Sequence, residues 1–163
     1  MDKEKTALVY NRSITLRGLV LDSTVQVERK IDIFLSDYFC DDKLKWAELN
    51  EMLWFTERIT IGNKKDIFFL ILDRHFKDYK SRNPKLVETL ENIIPHRNIF
   101  AHLEIDLSEE TVHKTGIEIS FKKYKAGKIN IQRYSMAEIQ KLFDDFNFVN
   151  NCLDELLKTS KAP

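Results

Sequence analysis

The chain has 163 residues, and its 26 basic and 26 acidic side chains cancel, so no global field advertises nucleic acid and any such contact has to be local. With 43% hydrophobic and 32% charged residues but only four glycines and three prolines, the composition points away from a disordered chain. It points to a single helix-rich domain over 1–163, with its core about 13–158. Cys40 and Cys152 are too few and too far apart for a disulfide framework or zinc knuckle. No apolar run reaches the ~18 residues of a membrane span, and the polar start Met1-Asp2-Lys3-Glu4-Lys5 has no signal-peptide character. The expectation is a cytoplasmic protein that needs no membrane, cofactor or metal.

Residues 2–12 are polar, either a flexible lead-in or an early helical turn. From Ser13 to Tyr38, apolar residues recur at Leu16, Val20, Val27, Ile31, Phe34, Leu35 and Tyr38, mostly in steps of three, four or seven. That is helical periodicity, and it predicts a long first helix ending near Phe39-Cys40. Asp41-Asp42 offers N-caps to a second helix through Leu44, Trp46, Leu49, Leu53 and Trp54, which should stop at Ile59–Ile61 before Gly62-Asn63. In the third, Lys64 to Tyr79, the run Ile67–Leu72 is too apolar for one face and predicts a central, buried helix. Asn83-Pro84 supplies an N-cap and a first-turn proline for a fourth helix through Leu86, Leu90, Ile93 and Ile94.

Pro95 cannot donate to the carbonyl of Glu91, so a kink or a restart is expected there. A restart would turn the amides around His96 to Asn98 outward, toward an anion; the alternative is a plain packing kink. Glu104 to Thr115 is polar and reads as a loop. Ile117, Ile119 and Phe121, then Ile129 and Ile131, alternate with polar residues around Lys125-Ala126-Gly127-Lys128, predicting one β-hairpin at about 116–133. Ser135 and Glu138 form a capping box opening a last helix, and Lys158 to Pro163 should fray. The fold class is mainly α: a bundle of about five helices with one β-hairpin before the C-terminal helix. Val20, Val27, Ile31, Phe34, Leu53, Phe68, Leu72, Leu90, Ile94, Leu142, Phe146 and Leu153 should be buried.

Chemistry concentrates at Arg97-Asn98-Ile99-Phe100-Ala101-His102, which places a guanidinium, an amide and an imidazole within six positions at a helix end. On a helix, Asn98 and His102 share a face, whereas Arg97 and His102 stand ~140° apart. Either the reach of the arginine side chain or a second copy of the site across a two-fold axis could bring them onto one substrate group. His102 brings an imidazole, the side-chain type suited to moving a proton; Arg97 can grip two phosphate oxygens in a planar fork; Asn98 can orient either. Without a ligand, the same side chains simply cap a helix end.

In this setting the motif resembles the HEPN superfamily, all-α domains marked by an arginine, often a polar neighbour, then four to six residues and a histidine. The architectural likeness covers about 13–158; the sequence likeness is six residues long. The resemblance implies a metal-independent endoribonuclease of the kind found in toxin–antitoxin, phage-defence and RNA-processing systems. Its partners would be a second copy with facing motifs, RNA, and an antitoxin or other regulatory protein. It equally implies inactive members that serve as binding or assembly modules. The toxin branch with a tyrosine two residues after the histidine is not matched, since Glu104 stands there.

Catalytic expectations therefore fall on Arg97, Asn98 and His102, and substrate-binding ones on His96, Lys123 and Lys125. His96 could add a proton donor or be an ordinary helix-edge histidine. The strip Lys122-Lys123-Tyr124-Lys125, with Lys128 and Arg133, could track an RNA backbone or merely guard a solvated hairpin edge. Asp73 and His75 could face the site or be a solvated helix side, and Glu28 could pair with Arg97 or be a surface glutamate. His113 has no argued role.

Overall fold

A computed structural model of the protein describes residues 2–56, 58–113, 118–125 and 127–160. The chain is mainly α, with a small antiparallel sheet before the last helix. In order the elements are α1 (Lys3–Phe39), α2 (Lys43–Leu49), a π-helical turn (Asn50–Trp54), α3 (Ile61–His75), α4 (Lys77–Arg82), α5 (Lys85–His102), β1 (Glu104–Ile105), α6 (Glu109–His113), β2 (Glu118–Lys125), β3 (Lys128–Ser135) and α7 (Met136–Ser160). Contacts divide the chain into two compact units: Met1–Ser23 with Pro95–Asp144, and Thr24–Ile94 with Asp145–Pro163.

Local chemistry accounts for the ends of these elements. Asp2 accepts from the backbone N–H groups of Glu4 (3.1 Å) and Lys5 (3.3 Å), so the polar N-terminal stretch is helical from Lys3 on. Asp42 accepts from Leu44 and Lys45, both at 2.9 Å, and opens α2. Asn83 does not cap α5 as expected. Its amide turns back to the Tyr79 carbonyl at 3.2 Å, and α5 starts at Lys85. The helix then runs through Pro95 without restarting, so the outward amides that a restart would offer an anion are not formed. Ser135 and Glu138 form the capping box: the Glu138 carboxylate accepts from the Ser135 N–H at 2.8 Å and the Ser135 hydroxyl accepts from the Glu138 N–H at 3.2 Å.

In the unit of Thr24–Ile94 and Asp145–Pro163, α1 contributes Val27, Ile31 and Phe34 to the core, and Phe34 stands edge-on to Phe68 (5.2 Å) and Phe76 (5.4 Å). Three expectations fail here. Leu53 is exposed and Trp54 buried, because the wide turn closed by Phe55 N–H on the Asn50 carbonyl (2.8 Å) breaks the 3.6-residue phase. Ile93, in step with Leu86 and Leu90, is fully buried, and Ile94 is left on the shoulder of that stripe. Leu70 is exposed, so α3 is one-faced rather than buried all round, and the chain breaks at Phe76 into a separate α4. Its buried stripe of Ile61, Phe68 and Leu72 includes a lysine: Lys64 is 2% exposed and donates to Glu28 (2.7 Å), Asp32 (3.0 Å) and the Trp54 carbonyl (2.6 Å).

In the other unit the sheet order is β1-β2-β3, antiparallel throughout. The register pairs Ile105 with Phe121, Ile119 with Tyr134 and Lys125 with Lys128. Gly127, at φ 74°, takes the left-handed conformation next to the Lys125–Lys128 pair, where a Cβ would be strained. The expected polar loop after His102 instead holds a third strand, β1, and the short α6. Thr115, Gly116, Ile117, Ala126 and the tail 161–163, all part of the sequence expectations, lie outside the described residues. One face of the sheet packs on α5, where Phe100 lies 4.9 Å from Phe121 and 5.1 Å from Tyr134, ring to ring.

Candidate functional site

The last two turns of α5 carry the motif, and Phe100 fixes them to the sheet: its ring is fully buried against Phe121 and Tyr134. With that face of the helix committed to the core, Asn98 and His102 are exposed and Arg97 is half-buried. Arg97 Nη1 donates to Asn98 Oδ1 at 3.2 Å and to His102 Nε2 at 3.4 Å. Of the two ways to bring guanidinium and imidazole together, the reach of the arginine side chain is the one realised, within a single chain. Since arginine only donates, His102 Nε2 is the acceptor in this contact, and the guanidinium engages its lone pair. Asn98 holds the guanidinium.

His96 points to a different neighbour. Its Nδ1 lies 2.8 Å from the Tyr134 hydroxyl, and the rings meet edge-on at 5.5 Å. Burial, then the nearby Glu138 carboxylate, pushes the Tyr134 phenol up to about 12, so the hydroxyl keeps its proton and can donate it to His96. Glu138 is held below the usual carboxylate range, first by the Ser135 backbone N–H and then by the Ser135 hydroxyl.

No family model matches this chain, and no curated protein or solved structure does.

What the site can do therefore rests on its own geometry. Sequence reasoning missed Arg17, from α1, which donates to the carbonyl oxygen of Leu103, the residue after His102, and lies 5.5 Å over the Phe121 ring. Arg17 satisfies a carbonyl at the end of α5 and helps fix the exit of the chain from the motif. A partner 86 positions away leaves no local signal. Lys123 and Lys125 are exposed on β2, and the hydrogen bonds of Arg97 and His102 go to each other and to Asn98 rather than to these lysines. Glu28 is taken by Lys64, Asp73 pairs with Lys80, and the His75 ring lies 5.5 Å from that of Tyr38, so each has its own local partner. His113 ends α6. Among the described residues no three His, Cys, Asp or Glu side chains gather as metal ligands, and no helix is long and apolar enough to cross a membrane.

Proposed function

We propose that this chain is a HEPN-like, metal-independent endoribonuclease of the toxin or phage-defence kind, cleaving RNA at Arg97 and His102. The observation that carries the reading is the 3.4 Å contact between Arg97 Nη1 and His102 Nε2 at the solvent-facing end of α5. An arriving phosphodiester competes for the guanidinium, which prefers two anionic oxygens to one imidazole nitrogen. Arg97 then swings onto the phosphate and leaves the Nε2 lone pair free. His102 takes the 2′-hydroxyl proton, the 2′-oxygen bonds to phosphorus, and the bond to the 5′-oxygen breaks; that oxygen leaves with a proton from the imidazolium or from water. The products are a 2′,3′-cyclic phosphate and a 5′-hydroxyl. Proton transfer of this kind contributes ~10²–10⁴-fold, and Arg97 offsets the charge that builds at phosphorus.

A second reading, a catalytically inactive binding or assembly module, is favoured by one observation: Arg97 is already hydrogen-bonded to both Asn98 and His102. A homodimer and an antitoxin or regulatory partner belong to the proposal under either reading. One experiment separates them. Purified protein with single-stranded RNA and excess chelator should yield cyclic-phosphate ends, and Arg97→Ala or His102→Ala should abolish them without shifting the melting temperature. Intact RNA with the unaltered protein would leave the module reading in place.

A further inference from the structure

The basic strip on the hairpin is two surfaces, not one. On β2, Lys123 and Lys125 share the face of Ile119 and Phe121, the face that packs on α5; the register adds Asn130 opposite Lys123 and Lys128 opposite Lys125. Lys122, Tyr124 and Arg133 occupy the other face. There Lys122 pairs with Glu104 (3.0 Å), Arg133 with Glu110 (2.9 Å), and the Tyr124 hydroxyl donates to Glu104 at 3.4 Å. One face is thus neutralised. On the α5 side, Lys123, Lys125 and Lys128 are all exposed and have no acidic partner among the described residues.

That open face begins where the motif ends. His96 contacts Tyr134, which is paired with Ile119, and Phe100 contacts Phe121. Four helical residues advance ~6 Å and two strand residues ~6.8 Å, so α5 and β2 keep step and the final turn of α5 is directed toward the level of Lys123. β1 confirms the level, since Glu104, two residues past His102, pairs with Lys122. Alternate strand residues are spaced much like adjacent phosphates in an extended single strand. Among the described residues the face offers three cations and the amides of Asn130 and Gln132, but no exposed apolar anchor of the kind a protein partner would need.

We propose that Lys123, Lys125 and Lys128 form a track for the phosphate backbone of single-stranded RNA on its way to Arg97 and His102. The inference rests on the ribonuclease reading for its ligand, but it is tested by binding rather than by cleavage. The probe is a fluorescent oligouridylate made entirely of 2′-O-methyl nucleotides, which cannot be cut, titrated at several salt concentrations. Each backbone contact on a single strand adds ~0.7 to the slope of log affinity against log salt, so Lys123→Ala/Lys125→Ala/Lys128→Ala should lower that slope by about 2. Lys122→Ala/Arg133→Ala, on the neutralised face, should leave it unchanged, and neither variant should move the melting temperature. An unchanged slope in the triple variant, an equal loss from both faces, or no binding by the unaltered protein overturns the track. Equal salt dependence with double-stranded RNA overturns the single-strand assignment. Binding as described by a protein that never cleaves sinks the ribonuclease reading alone; cleavage with an unchanged triple variant sinks the track alone.

Discussion

Replacing Lys64 with methionine tests how the chain tolerates a charge inside its core. All three ammonium protons are used, on Glu28, Asp32 and the Trp54 carbonyl, and Asp32 is itself buried. Burial pushes the Asp32 carboxyl from 3.8 up to about 6, against the pull of Lys64. Between those values the folded chain holds a proton that the unfolded chain has lost. Stability therefore falls as pH rises across that window, by ~3 kcal/mol at ~1.36 kcal/mol per pH unit, and this contribution is flat above it. Without Lys64 the carboxyl stays protonated through neutrality, which at pH 7 costs ~4 kcal/mol against the unfolded chain, ~1 more than in the native sequence. The orphaned Trp54 carbonyl adds ~1–3 kcal/mol that does not depend on pH. Lys64→Met should thus lose ~3–4 kcal/mol at pH 7 but only ~2 kcal/mol at pH 5, where both proteins carry a largely protonated Asp32. Urea unfolding at the two pH values reads this directly. A loss below about 1 kcal/mol at pH 7, or the same loss at both, would refute the account of Asp32.

Two further outcomes can be measured on the same samples. Phe146 is 1% exposed on α7, and Phe146→Ala should cost ~3–5 kcal/mol by urea unfolding; less than about 1 kcal/mol would put the helix at the periphery. Ser135→Ala removes the acceptor of the Glu138 N–H and should cost ~1 kcal/mol in thermal melts. The lowered pKa of Glu138 means that its contribution is present above the ordinary glutamate range and fades as pH falls through the lowered value, so the variant should show a flatter acid limb.

The long elements were readable because periodicity sustained over many residues averages out local exceptions: α1 and α7 follow their apolar steps, and Ser135 with Glu138 marks the last helix start. The misses come from features with no period. A single π-helical turn moved Trp54 inward and Leu53 outward, and β1 is two residues long, too short to alternate. Lys64 sits in an apolar stripe at helical spacing, where only its distant carboxylates explain it. At the candidate site, the residues of α5 were legible as a six-residue pattern, but their meeting was not. The wheel sets Cα directions, and Arg97 covers the remaining angle by its side-chain torsions. Arg17 reaches the helix end from the far end of the sequence, beyond any local rule.

The contact between Arg97 and His102 also changes what a dimer would have to do. Had the two side chains been splayed, a two-fold axis would have been needed to assemble one guanidinium and one imidazole from different chains. Each chain instead holds its own pair at 3.4 Å, steadied by Asn98 at 3.2 Å. Any second copy would then duplicate the site or supply a further proton donor, and would not be needed to complete the pair. Mixing Arg97→Ala protein with His102→Ala protein distinguishes these arrangements, because no chain in the mixture carries both groups. With the pair acting in cis, the mixture should cleave RNA no faster than either variant alone. If the groups act across a two-fold, half of randomly mixed dimers carry one intact composite site out of two, and activity should recover to roughly a quarter of the native rate. That recovery would refute the assignment of the 3.4 Å pair as the working unit and restore the requirement for a shared groove.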